Sequence, residues 1–374
     1  MSSSQDLEQG SGQAPEQPGK QEAPEAAAAE GAPAEGKEPT PEERARSREA
    51  TLLEAGKRFS DSYRANSKVR IMVDSCADFA PAVAKALGVE MFWFPYILDG
   101  EERLDDLWES MTPKEFYDKL REGATFHTSA IPPGRYEDVF EHAAQDGKPT
   151  LYLGFTGGLS SSIYAAETAA QMVRERHPGF ELYVLDNLCP SAAAELLAIE
   201  AVRQAGNGLT AKELYEWASD ARYFVQGYFT LDSFDALARG GRIPPAAAQV
   251  GSKLDIKPEL SYDLNGSLTL RSMCRGRKKA LRAIVGEFRD HYAHDHSLPL
   301  GIMSADAERD ADWLEGAIRK EPGCEDLLII RSSISPVIGG HVGPGMVAIV
   351  FWGDDRREQL SLTYRIARRV RSGS

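Results

Sequence analysis

Several common signatures of protein chemistry are missing from this sequence. Its four cysteines, Cys76, Cys189, Cys274 and Cys324, are widely separated and form no C-x-x-C pair. Neither a structural zinc site nor a disulfide framework is therefore expected, and buried free thiols are the default. No G-x-x-x-x-G-K-[ST] phosphate loop and no G-x-G-x-x-G fingerprint occurs, so the usual sequence marks of a nucleotide or dinucleotide cofactor are lacking. Long apolar runs are also missing. Met91–Leu98 and Gly345–Trp352 are the longest, far short of the roughly 20 residues that span a bilayer. The first residues hold no basic stretch followed by an apolar one, so no signal peptide is expected and the expected compartment is the cytosol. Excess positive charge is absent too. The net charge is -14, whereas a nucleic-acid binder needs a basic footprint.

Aromatic residues are absent before Phe59. Residues 1–43 contain ten acidic side chains against Lys20 and Lys37, which accounts for -8 of the total charge and leaves -6 for the remainder. Such a segment buries too little apolar surface to offset the entropy of ordering it, so its composition predicts disorder. From about residue 67 onward the chain is long enough for one large or two medium domains, each with its own core.

Thr40-Pro41-Glu42-Glu43 is a capping box and predicts a charged helix to about Gly56. Alternating apolar residues then predict a strand over Lys68–Val73, and helical spacing predicts a helix over Ala80–Leu87. A strand over Val89–Leu98 ends at the Asp99-Gly100 turn. Thr112 and Thr210 open two further capping boxes. Helices are expected at 113–121, 133–144, 161–173 and 191–205, and strands at 150–155 and 182–185. This alternation points to a largely parallel sheet covered on both faces. After Phe224 the texture changes. A strand at 224–231 and a short helix precede two strands joined at Leu264-Asn265-Gly266, which read as a hairpin with a type I′ turn. A helix over Arg277–His291, a strand at 298–304, a helix at 307–320 and strands at 327–332 and 347–352 complete a second α/β unit.

Three stretches carry candidate chemistry. Gly157-Gly158-Leu159-Ser160-Ser161-Ser162 follows a strand and opens a helix, a geometry that aims backbone N–H groups at an anion. The same stretch also reads as an ordinary serine-rich helix cap. It lacks the final glycine of a G-x-S-x-G nucleophile elbow. His127-Thr128-Ser129 lies between two expected helices and could line a crevice or cap the next helix. Gly339-Gly340-His341-Val342-Gly343-Pro344-Gly345 lets the backbone approach a ligand or partner closely, with His341 as donor, acid or base; it also reads as a flexible turn. His291, His294 and His296 could ligate a metal, but a solvated helix end is the simpler reading. The arginines from Arg356 to Arg371, interleaved with apolar residues, read as a solvated or docked amphipathic tail, with transient membrane-surface contact as the sharper alternative.

Taken together, these motifs resemble the DegV family of bacterial fatty-acid-binding proteins. Asp74-Ser75-Cys76-Ala77-Asp78 resembles the family's D-S-T-A-D, and Thr128-Ser129 its T-S-Q-P. Leu159–Ile163 resembles L-S-G-T-Y, and Leu237–Ile243 resembles L-x-R-G-G-R-I. Ile256-Lys257-Pro258, Arg275–Ala280 and His341–Gly345 are similar to I-K-P, R-x-R-K-K-A and H-x-G-x-G. The sequence departs from the family pattern at Ser161, Ser162 and Ile163, which replace Gly, Thr and Tyr, and at Ala130, which replaces Gln. The resemblance implies two α/β domains with a long-chain fatty acid buried at their interface. It implies that Thr128, Ser160 and His341 hold the carboxylate, with Ser129, Ser161 and Ser162 as additional head-group contacts. It further implies a non-catalytic carrier that presents the carboxylate to the ATP-binding subunit of a fatty acid kinase, with Arg275 at the docking surface.

The expected organisation is an acidic tail and charged helix at 1–66, an α/β domain at 67–224, a second α/β domain at 225–353 and a basic extension at 354–374. Two rival functions remain: a serine esterase or acyltransferase using Ser160 with His341, and a binding protein for another anionic lipid. No cofactor and no metal are expected.

Overall fold

A computed structural model describes residues 67–243 and 256–360, with scattered positions between 50 and 66. The predicted disorder of 1–43, the capping box at Thr40 and most of the basic extension lie outside the described residues. Leu53, Lys57, Ser60, Asp61, Tyr63, Ala65 and Asn66 are helical, so helical positions continue past the expected end at Gly56. Tyr63 is buried and donates to the carbonyl of Val69 at 3.1 Å.

The N-terminal half is built on a parallel sheet in the order β2-β1-β6-β7. Its strands are β1 (Arg70–Asp74), β2 (Glu90–Phe92), β6 (Thr150–Gly154) and β7 (Leu182–Asp186). Every residue of β6 is buried, as a central parallel strand requires. A second, antiparallel sheet was not foreseen. It comprises β3 (Pro95–Leu98), β4 (Glu101–Leu104) and β5 (Phe126–Thr128). The strand expected over Val89–Leu98 is therefore two strands in two sheets. At the break, the Phe94 N–H donates to Ser75 Oγ at 3.1 Å and its carbonyl accepts from Asp105, and Pro95 has no N–H to continue a ladder. His127 and Thr128, expected between helices, lie on β5.

The C-terminal half is a six-stranded sheet in the order β10-β9-β8-β13-β11-β12. Its strands are β8 (Val225–Thr230), β9 (Ile256–Tyr262), β10 (Leu268–Arg275), β11 (Leu300–Ser304), β12 (Ile329–Ser333) and β13 (Val347–Trp352). Only the β11–β12 pair is parallel. The helices are α1 (Pro81–Leu87), α2 (Pro113–Arg121), α3 (Pro133–Asp146), α4 (Ser162–Arg176), α5 (Ala192–Gly206), α6 (Ala211–Ala221), α7 (Asp235–Arg239), α8 (Arg277–His291), α9 (Glu308–Ile318) and α10 (Pro336–Val342). Both capping boxes within the described residues form, with Thr112 and Thr210 accepting from the N–H groups of Glu115 and Glu213.

Helix α5 joins the halves. Its run of small residues is buried almost throughout. It touches β1 on one side and β8, β11 and β13 on the other, which a helix with bulkier side chains could not do. Asp78 fastens the same seam. Its carboxylate accepts from the Ser335 N–H at 3.0 Å and from the Ser191 hydroxyl. Burial pushes Asp78 up to about 7, and these hydrogen bonds oppose the rise. Because folding raises this value, the stability it contributes is present below about pH 4 and is lost as the pH rises through 7.

The β9–β10 hairpin turns differently from expectation. Gly266 has a positive φ of 75°, whereas Asn265 does not have one. The Gly266 N–H donates to the Asp263 carbonyl at 3.1 Å, and the Asp263 carboxylate accepts from the N–H groups of Asn265 and Ser267. This is a turn closed by a left-handed glycine rather than type I′. The hairpin tip packs on the N-terminal half, where a Cβ on Gly266 would overlap the Thr156 hydroxyl. Arg356, expected in the tail, is buried with its guanidinium 4.3 Å from the Tyr262 ring centre. His291, expected at a solvated end, is buried beside Glu287 and Asp354.

Gly266→Ala is predicted to destabilise the protein by about 1–3 kcal/mol, through both strain and overlap. An unchanged thermal midpoint would contradict this packing.

Candidate functional site

A cavity lies between the halves. Phe94, Phe155 and Leu159 line it from the N-terminal half, and Phe229, Tyr262, Val337, Met346 and Val350 from the C-terminal half. Thr128, Ser129, Ser160, Ser161, His341 and Arg242 also line it. Its void is about 990 Å³, counting the opening to solvent. Apolar walls with a few polar groups suit an amphiphile.

Three elements bring the polar groups together. Thr128 ends β5, and its Oγ1 lies 2.8 Å from His341 Nε2. His341 sits in α10, so the expected flexible loop is helical at this point. The glycines around it make room for the protein's own side chains. A Cβ on Gly339 would strike the Tyr117 hydroxyl, one on Gly340 the Phe126 ring, and one on Gly240 the His341 imidazole at Nδ1. Tyr117 in turn donates to the Ile334 carbonyl at 2.6 Å, ahead of α10. Thr128 thus belongs to the N-terminal half and His341 to the C-terminal half, and their side chains meet.

Ser160 lies in the turn between β6 and α4. Its hydroxyl donates to Ser162 Oγ at 3.2 Å and accepts from the Ser162 N–H. Ser162 is buried and does not line the cavity. Its Oγ accepts from the Ile131 N–H at 3.0 Å, tying the loop before α3 to α4. Ser129 and Ser161 line the cavity but are exposed. The backbone anion site expected at this turn is occupied from within. The Gly157 N–H donates to Asp186 at 3.0 Å, the Gly158 N–H to Thr156 Oγ1, and the Leu159 and Ser160 N–H groups to the Thr156 carbonyl. Side chains rather than these amides are left to meet a ligand.

Arg242 is the lining residue that residue-by-residue reading missed, and its signal was its place in Leu237–Ile243. Its guanidinium donates to the carbonyls of Leu159, at 3.3 Å, and Gly240. Arg242 thus adds a fixed positive charge to the hydroxyls and imidazole of the lining. Burial, and then the Arg242 charge, push His341 down to about 4, so its imidazole is neutral at pH 7. Arg275, at the end of β10, is exposed and lines neither the cavity nor the open polar groove into which it leads. His127 faces that groove, with Asp232, Asp306 and Asp310. Among the described residues no group of His, Cys, Asp and Glu is arranged to hold a metal. No described helix is long and apolar enough to cross a membrane.

Fold and site together define an α/β protein with an apolar cavity between two sheet systems and a polar cluster at one end of it. The chain belongs to the DegV family: the family model described as "Uncharacterised protein, DegV family" matches residues 68–354. A DegV domain-containing protein of Clostridium perfringens is 32% identical over 289 residues, covering 77% of this chain and 99% of the relative. A DegV family protein from Thermus thermophilus, described as fatty acid binding, shares the fold with a TM-score of 0.67 and 25% identity, over 76% of this chain and 99% of that one. A Thermotoga maritima protein whose structure is described as revealing fatty acid binding matches with a TM-score of 0.64 and 26% identity, over 76% and 99%.

Folding lowers the His341 value from 6.5 to about 4. Its contribution to stability is therefore present above about pH 6.5 and lost as the pH falls through 4. Its ring-proton NMR signals are predicted to stay flat from about pH 8 to pH 5, and Arg242→Gln to raise the midpoint. A midpoint near 6.5 in the unaltered chain would overturn the assignment.

Proposed function

We propose that this protein binds a long-chain fatty acid in the cavity between its halves, with the carboxylate against Thr128, Ser160 and His341. The single observation that carries this reading is an apolar void whose lining also holds Thr128, Ser160 and His341, with Thr128 Oγ1 2.8 Å from His341 Nε2. The family relatives from T. thermophilus and T. maritima, described as fatty acid binding, support it. Each buried methylene contributes about 0.8 kcal/mol before ordering costs. The carboxylate, costly to bury alone, takes hydrogen bonds from hydroxyls and charge from Arg242. Ser129 and Ser161 are secondary contacts. Ser162 is withdrawn from that set because its hydroxyl is turned to Ile131.

The protein acts as a carrier in the cytosol and presents the carboxylate to the ATP-binding subunit of a kinase. A carboxylate oxygen attacks the γ-phosphorus of ATP, and ADP leaves, giving an acyl phosphate. The polar groove beyond His341 and Thr128 provides the approach, and Arg275 contributes to docking. This step rests on the family resemblance. The esterase alternative has no comparable support: Ser160 donates to Ser162, His341 Nε2 is engaged by Thr128, and an imidazole near 4 is a weak general base at neutral pH.

Lipid extraction and mass spectrometry of protein purified from a bacterial host should yield long-chain fatty acid. An empty protein that also takes up no added fatty acid would refute the reading. Ser160→Ala and His341→Ala are each predicted to slow kinase-dependent acyl phosphate formation by about tenfold or more, the loss expected for one hydrogen bond to a charged group. Unchanged turnover in both would remove these residues from the site.

A further inference from the structure

The outer face of α8 and the adjoining end of β10 form a basic surface away from the cavity. Arg275, Lys278, Lys279 and Arg282 are exposed. Among the described residues none of the four has an ion-pair partner, whereas their neighbours Arg271, Arg277 and Arg289 pair with Glu287, Asp310 and Glu321. Lys278, Arg282 and Arg289 follow helical spacing along one stripe. The intervening Gly286 adds no bulk, and a Cβ there would meet nothing. The opposite face of α8, with Leu281, Ile284 and Phe288, is buried. Glu287 falls outside the stripe by the same spacing, whereas Asp290, four residues after Gly286, ends it beside Arg289.

The strongest opposite charge in the chain is its own beginning, where residues 1–43 carry ten acidic side chains and two basic ones. Even fully extended, a chain of forty-three residues spans no more than about 150 Å, enough to pass across a body of some 300 residues, whose radius of gyration is about 19 Å. Tethering holds the segment at an effective concentration in the millimolar range. We propose that the acidic segment 1–43 docks in cis on the basic face formed by Arg275, Lys278, Lys279 and Arg282. Each exposed pair is weak and screened by salt, so the contact is reversible and sensitive to ionic strength. It covers Arg275. Competition with a kinase subunit at that residue rests on the carrier reading; the docking itself does not.

The test uses the full chain, without kinase or fatty acid, so its failure is distinct from failure of the carrier reading. A zero-length carbodiimide is applied at low salt, and the linked peptides are mapped by mass spectrometry. The expected result is links within one chain between the acids of 1–43 and Lys278 or Lys279. Their yield should fall roughly tenfold in about 0.5 M NaCl. It should fall by a similar factor in the full chain carrying Arg275→Glu and Arg282→Glu, which keeps both lysines. The proposal is overturned by absence of these links at low salt, by equal links to Lys148 and Lys212, by links only between copies, or by a yield that neither salt nor the double variant changes.

Discussion

The hydrogen bond between Thr128 and His341 joins the two halves of the molecule over the polar end of the cavity, and much of the local structure exists to permit it. Thr128 comes from the small antiparallel sheet, and His341 from a short helix of the C-terminal half. For the side chains to come within 2.8 Å, α10 must lie against Tyr117 and Phe126, and α7 against the imidazole. Glycines at 339, 340 and 240 allow both approaches. A methyl group at any of them would have to be accommodated by moving a packed aromatic ring or the histidine itself.

Electrostatics at the seam divides into two zones. At Asp74 and Asp78, burial raises both carboxyls to about 7. Asp105, also fully buried, is pushed well above the usual carboxylate range, first by burial and then by Asp78. At the polar end of the cavity the balance is reversed. Arg242 supplies positive charge and helps keep His341 neutral, and hydroxyls supply donors. On the proposed reading an incoming carboxylate would meet one cation and several neutral donors, while Asp74 and Asp78 lie on hydrogen bonds of their own.

Much of this was legible in the sequence where a single physical cause dominates. The helix over Arg277–His291 follows from helical spacing and the strand over Val347–Trp352 from a short continuous apolar run, and both have those bounds. The capping boxes at Thr112 and Thr210 follow from local hydrogen bonding. What could not be read depends on partners distant in sequence. The split between β2 and β3 depends on Ser75 and Asp105 meeting Phe94. The occupied amides of the Gly157 turn depend on Asp186. The glycines near His341 suggested close approach by a ligand, and only the fold shows Tyr117 and Phe126 filling that space. Ser162 shares its motif with Ser160 yet faces Ile131, because residues two apart at a helix start point in different directions.

The most direct test of the central claim is a crystal structure of the full chain loaded with a single long-chain fatty acid. The account predicts an acyl chain along the apolar walls between the two halves, with its carboxylate within hydrogen-bonding distance of Thr128 and Ser160 and next to His341. An acyl chain bound elsewhere, or one bound in the cavity with its carboxylate away from these three residues, would contradict it.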